Sequence, residues 1–262
     1  MSSSGPDLEH YANAVERAGK RYGMSLHWGK TQAMSVGTTQ RLRKPDGTEF
    51  EDESSLKYLG GLVSSSGRSD SEVSRKIGMA VGDFKQLQRL WGHTGVTTKR
   101  KLRFFHAFVV SRLQYGLASL WLVTAQRRRL DGFYARCLRR ILRIPAAFVS
   151  RISNKTVLAC AGVVAFSEQL LKHQLDLLRR AAVAPEGSPM RRDTFMGDTT
   201  CPQIGRFVRV VGRPRQEWTS QLLREGSHRV GPAAFAALLL DRSLGADKRW
   251  KSCMAKFVAV RP

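Results

Sequence analysis

The chain has 262 residues, 42% hydrophobic and 25% charged, a composition that predicts a globular protein of one large or two small domains. No run reaches the ~18 apolar residues of a spanning helix, which excludes an integral membrane protein. Residues 1–6 lack the basic and apolar segments of a secretory signal, so an intracellular protein without a membrane partner is expected. Lys and Arg number 44 against 21 Asp and Glu, a net charge of +23 that makes a polyanion the expected partner.

From the N-terminus, residues 7–22 place Leu8, Tyr11, Val15 and Ala18 at three- and four-residue steps, the spacing of an amphipathic helix. Gly23 supplies its left-handed stop. Residues 25–36 read as two strands about a tight connection at Gly29, Lys30 and Thr31. Pro45-Asp46-Gly47 marks a turn within 42–50, and the apolar stretch 56–63, broken by Gly60-Gly61, reads as a hairpin or bulge. Residues 1–67 carry 8 basic and 8 acidic side chains and form an α+β element.

The character changes at Ser66-Gly67. Residues 68–151 hold 18 basic and 4 acidic side chains, net +14. Ser69 and Glu72 fit a capping box, followed by the apolar face Val73, Ile77, Ala80, Phe84, Leu87 and Trp91. Thr97 or Thr98 caps a second helix with the stripe Leu102, Phe105, Val109, Leu113 and Leu120. Thr124 caps a third, with Leu130, Phe133, Cys137, Ile141 and Leu142 inward, and Pro145 stops it. Its other side carries Arg129, Arg136, Arg140 and Arg143. Three helices with short loops predict a bundle.

Residues 154–162 and 167–184 look helical. Residues 185–215, rich in Gly, Pro and charge, read as a linker or poorly ordered segment. Short helices are expected at 218–224 and 233–240. The domain boundaries fall at 1–67, 68–184 and 185–262.

Few groups converge as an enzyme requires. No phosphate-cradling loop and no Gly-x-Ser-x-Gly elbow occurs, and six histidines show no ligand-pair spacing. Cys137, Cys160, Cys201 and Cys253 lie far apart, so neither zinc nor a disulfide scaffold is expected. The only acids numerous enough for a two-metal site are Asp7, Glu9, Glu16, Glu49, Glu51, Asp52 and Glu53, and they read as solvated faces. The basic helices point elsewhere. An arginine stripe on a helix with a packed back presents guanidinium forks to backbone phosphates. Lys99, Arg100, Lys101 and Arg103 add charge at a helix start.

Several segments, in order, resemble the C-terminal part of the reverse transcriptase of non-LTR (LINE-type) retrotransposons. Gly23-Met24-Ser25-Leu26 with Lys30-Thr31 resembles a palm motif, and Leu56-Lys57-Tyr58-Leu59-Gly60 resembles the primer-grip hairpin. Ser66-Gly67 and the following helix resemble the first thumb helix. Leu113-Gln114-Tyr115-Gly116 with Trp121, and Leu130-Asp131 with Cys137-Leu138-Arg139-Arg140-Ile141-Leu142, resemble the next two. Ile152-Ser153-Asn154 and Gly212-Arg213-Pro214-Arg215 with Trp218 resemble elements nearer the family's end. His27 stands where the family usually has asparagine. The family's metal-binding aspartates lie upstream of the Gly23 motif, where this chain has 22 residues and no Asp-Asp pair.

The resemblance implies a small palm remnant and a mainly helical thumb, and composition adds a partly disordered C-terminal region. It gives Lys30 the role of neutralising departing pyrophosphate, and Tyr58, Leu59 and Gly60 that of holding the primer end. Lys99, Arg100, Lys101, Arg103, Arg129, Arg136, Arg139, Arg140 and Arg143 would grip an RNA or RNA–DNA duplex through its backbone. The parent family synthesises DNA with two magnesium ions. This chain alone is expected to hold no cofactor, to bind no small-molecule substrate and to be inactive, and nuclear import fits its basic clusters. Two alternatives stay open: a non-enzymatic nucleic-acid-binding protein built on the thumb, and a decayed retroelement reading frame.

Overall fold

A computed structural model describes residues 5–36, 41–197, 199–203 and 217–258. The architecture is α+β, mostly helical with one two-stranded antiparallel sheet. The chain divides into two compact units, Met1–Glu72 and Val73–Pro262.

In the first unit, α1 (Gly5–Lys20) is the amphipathic helix expected, and Gly23, at φ +69°, turns the chain after it. The two strands expected over 25–36 do not form. Trp28–Lys30 is a single 3₁₀ turn, and Ala33 makes one isolated bridge to Asp52. A strand persists only when its ladder is paired, and this segment has that one bridge among the described residues. The 45–47 turn forms as expected, with Asp46 Oδ1 accepting the Thr48 N–H (2.9 Å) and hydroxyl (2.6 Å). These bonds hold the Asp46 carboxyl below its ordinary value. The hairpin also forms: β1 (Ser55–Tyr58) pairs with β2 (Gly61–Ser64) in register Leu56 to Val63 and Tyr58 to Gly61. Leu59 (φ +47°) and Gly60 (φ +77°) are both left-handed, the signature of a two-residue turn matched to strand twist. The Glu72 carboxylate is buried and accepts the Leu62 N–H at 3.0 Å. Among its described residues this unit has no buried hydrophobic side chain.

The second unit has two cores. The expected first helix is α2 (Asp70–Gln86), interrupted at Leu87 and resumed as α3 (Gln88–Gly92). No proline or glycine sits at the break. Instead the Trp91 indole N–H bonds the Phe84 carbonyl (2.9 Å), diverting an acceptor of the helical ladder. Thr97 caps α4 (Thr98–Phe104), accepting the Arg100 N–H, and the helix widens into a π-helical turn over Phe105–Val110 before α5 (Ser111–Gln114). The cap of α6 (Thr124–Leu142) lies one residue earlier than expected, at Val123, whose N–H bonds Gln126 Oε1. Val73, Ala80, Trp91, Phe105, Leu113, Leu130, Tyr134 and Leu138 interlock between these helices.

After α6 come α7 (Ala147–Ser150), α8 (Asn154–Ala161, capped by Ser153) and α9 (Phe166–Val183). Helix α9 joins the cores, with Phe166 and Leu170 in the first and Leu171, Leu175 and Leu178 in the second. The short α10 (Pro189–Arg192) leads to Phe195, and the second core is completed by Phe195 with α11 (Trp218–Val230), α12 (Pro232–Leu240) and α13 (Ala246–Val258). Composition marks 185–215 as linker, yet Arg191 and Phe195 are buried against this core. The Gly212–Arg215 element lies outside the described residues. Helix α13 carries no expectation from the sequence, yet it supplies the buried Trp250 and Met254.

Candidate nucleic-acid interface

Helix α6 packs its apolar face into the first core and turns Arg129, Arg136, Arg140 and Arg143 to the exposed side. From Arg129 to Arg143 the stripe runs ~21 Å along the axis, about six base-pair steps of a duplex. Between α6 and the α2–α3 break lie two adjoining clefts of about 900 and 400 Å³, both lined by Lys85, Gln88, Trp91 and Arg140. Arg89 and Arg143 line the larger, and Phe84, Phe133 and Arg136 the smaller. The floor is aromatic, with Phe84 stacked on Trp91 at 5.0 Å. No carboxylate lines either cleft. Lys85, Arg89, Arg136 and Arg140 have no hydrogen-bond or ion-pair partner among the described residues.

The sequence explains this one-sided charge. From 84 to 167 the chain has sixteen Lys and Arg but a single acid, Asp131. That acid is occupied, accepting the Ser167 N–H (2.8 Å) and hydroxyl (2.7 Å) at the start of α9. Neighbouring acids are engaged as well. Asp83 pairs with Arg112 at 2.7 Å, and Glu168 takes both guanidinium arms of Arg229 at 2.6 and 3.0 Å. Cys137, at the cleft floor, is no nucleophile, because burial pushes its thiol up to about 12.

Two of the expected contact residues are placed otherwise. Arg139 is 6% exposed, and its guanidinium donates to the carbonyls of Pro145 (3.1 Å) and Ile152 (2.5 Å), to Asn154 Oδ1 (3.2 Å) and to Ser150 Oγ (3.4 Å). It lies about 60° from Arg136 around the helix, toward the returning chain, and staples the 145–154 segment to α6. Lys101 is also buried, with Nζ on the Trp91 carbonyl at 2.9 Å. With Arg143, which donates to the Gly92 carbonyl (3.0 Å), it satisfies the open end of α3. Arg129 bonds Ser74 Oγ at 3.0 Å and remains exposed. Lys99, Arg100 and Arg103 are exposed on α4, unpartnered among the described residues.

In the first unit Lys30 is exposed on the 3₁₀ turn, and Tyr58, Leu59 and Gly60 are exposed at the hairpin tip. The residues present do not fit a two-magnesium centre. Asp52 accepts the Ser35 N–H, Glu49 pairs with Arg41, Glu53 with Gln32, and Glu9 with the Arg43 N–H. Among the described residues no three His, Cys, Asp or Glu gather to hold an ion. His106, unremarkable in the sequence, lies in the π-helical turn with Nε2 at 3.2 Å from the hydroxyl of buried Tyr134, which also receives Gln169 Nε2. Burial lowers the His106 value and raises that of Tyr134 to about 12.

Comparison with protein families, with curated proteins and with solved structures finds no match to this chain. No helix among the described residues is long and apolar enough to cross a membrane.

Proposed function

We propose that residues 73–258 form a clamp for the backbone of a nucleic-acid duplex, and that the chain is the palm end and thumb of a LINE-type reverse transcriptase. One observation carries the clamp: an open cleft whose cations, Lys85, Arg89, Arg136 and Arg140, have no acidic counterpart in its lining. Cations that the protein leaves unpaired are available to phosphates, and each phosphate neutralised releases condensed counterions. The contact is sequence-tolerant, because guanidiniums on a helix face reach backbone oxygens rather than base edges. The order of the resembling segments supports the family assignment. Work on an RNA–DNA hybrid places such a protein inside the cell, and nuclear entry suits the Lys99 to Arg103 cluster.

The two buried cores of the second unit equally support a non-enzymatic binding protein, since both readings share the clamp. Fluorescence anisotropy with a blunt RNA–DNA duplex at 50–200 mM salt tests it. Affinity should fall steeply with salt, and Arg136→Glu with Arg140→Glu should reduce the log–log slope by about two. Salt-independent binding, or an unchanged slope in that variant, overturns the clamp. Primer extension with magnesium separates the two readings of the chain: no incorporation is expected, because the acids of the first unit are dispersed. Incorporation would show a metal centre that these residues do not provide.

A further inference from the structure

A second cationic surface lies on α4 and the π-helical turn. Phe104 and Phe108 are exposed by 42% and 56%. Their rings stack on one another, centroids 6.2 Å apart and planes 19° from parallel. The two lie four positions apart along the helix, a spacing at which side chains on one face are neighbours. The neighbours along this surface are small or basic: Ala107 and Ser111 are exposed, Arg100 lies one turn before Phe104, Arg103 directly precedes it, and no acid occurs between 84 and 130.

We propose that Phe104 and Phe108 are a stacking platform for an unpaired base of a single-stranded nucleic-acid segment, with Arg100 and Arg103 on its phosphates. This rests on the nucleic-acid reading above and extends it from duplex to flanking single strand. Two features favour this occupant over a protein. The exposed faces of the two rings amount to on the order of 200 Å², far below the ~800 Å² per partner of a stable protein interface. They do match one or two bases, and the cations beside them have no partner among the described residues. An aromatic face with adjacent fixed positive charge is the arrangement by which single strands are held without sequence preference.

The test uses the full chain with three probes: a blunt 16-base-pair RNA–DNA duplex, the same duplex with a five-nucleotide unpaired extension, and a free five-nucleotide strand. The extension should tighten wild-type binding at least about five-fold. Phe104→Ala with Phe108→Ala should abolish that gain and change blunt-duplex affinity less than two-fold, whereas Phe104→Tyr with Phe108→Tyr should retain it. Both rings are exposed, and an unchanged thermal melt confirms that the alanine variant is folded. A gain that survives the alanine pair, or no gain in wild type that binds the blunt duplex, overturns the platform and leaves the clamp standing. Binding of extension and free strand without the blunt duplex overturns the clamp and leaves the platform. A change of sedimentation in the alanine pair with the extension gain intact assigns the face to self-association instead, and binding to none of the probes sinks both proposals.

Discussion

Two adjacent arginines on one helix are expected to fail in opposite ways. Arg139→Ala removes a buried guanidinium that satisfies the carbonyls of Pro145 and Ile152 and the side chains of Ser150 and Asn154. Each abandoned buried acceptor costs about 1–3 kcal/mol, but the 145–154 segment is largely exposed and water repairs part of the loss. The net is ~2–4 kcal/mol, which in a unit of this size lowers Tm by roughly 4–16 °C at about 2–4 °C per kcal/mol. Arg140→Ala removes an exposed side chain without a partner and should alter stability by less than ~0.5 kcal/mol. Duplex affinity should show the reverse order, with Arg140→Ala weaker and Arg139→Ala near wild type below its melting range. Differential scanning fluorimetry and anisotropy on the two variants settle it. A destabilised Arg140→Ala beside an unaffected Arg139→Ala would refute the sorting of these cations into structural and available.

Gly226→Ala should destabilise, against helix propensity. A Cβ at this position in α11 would collide with the ring of Phe235, which is 1% exposed and packed near Trp250. Overpacking of ~1–3 kcal/mol outweighs the ~1 kcal/mol helix gain, so Tm should fall by several degrees, and a rise would show that the ring can move. Cys137 should resist iodoacetamide at pH 8, where a thiol pushed to about 12 holds ~0.01% thiolate, while the exposed Cys160 and Cys201 are labelled. Peptide mass spectrometry reads this directly, and early modification of Cys137 would contradict its burial.

The helices were legible because their signal is local. Val73, Ala80 and Trp91, or Phe105, Val109 and Leu113, mark one face by spacing alone, and all six are buried. The hairpin was legible from Gly60, although Leu59 at φ +47° is an unusual residue for the turn. What failed was non-local. Pairing decides a strand, and 25–36 has one isolated bridge where its pattern required a ladder. Composition misread 185–203 as linker because it cannot see that Phe195 has the second core to pack against. The α2–α3 break had no proline or glycine to announce it, being made by a tryptophan side chain four residues beyond. The cleft was half legible: the Arg129, Arg136, Arg140 and Arg143 stripe was visible, but Lys85 and Arg89 come from another helix.

Charge alone is therefore a poor criterion of contact in a chain this basic, and satisfaction is a better one. Of the nine basic residues expected to touch nucleic acid, Lys101 and Arg139 are consumed by carbonyls inside the protein. Arg129 and Arg143 each hold one hydrogen bond while remaining exposed. Lys99, Arg100, Arg103, Arg136 and Arg140 are free among the described residues. The free cations separate into a pair over an aromatic-floored cleft and a trio beside two stacked rings. Like charges held together in this way repel one another unless a polyanion or its counterions intervene. A sequence that spends carbonyls on Arg139 and leaves Arg140 bare one residue later has placed its repulsion on the surface, where a phosphate backbone relieves it.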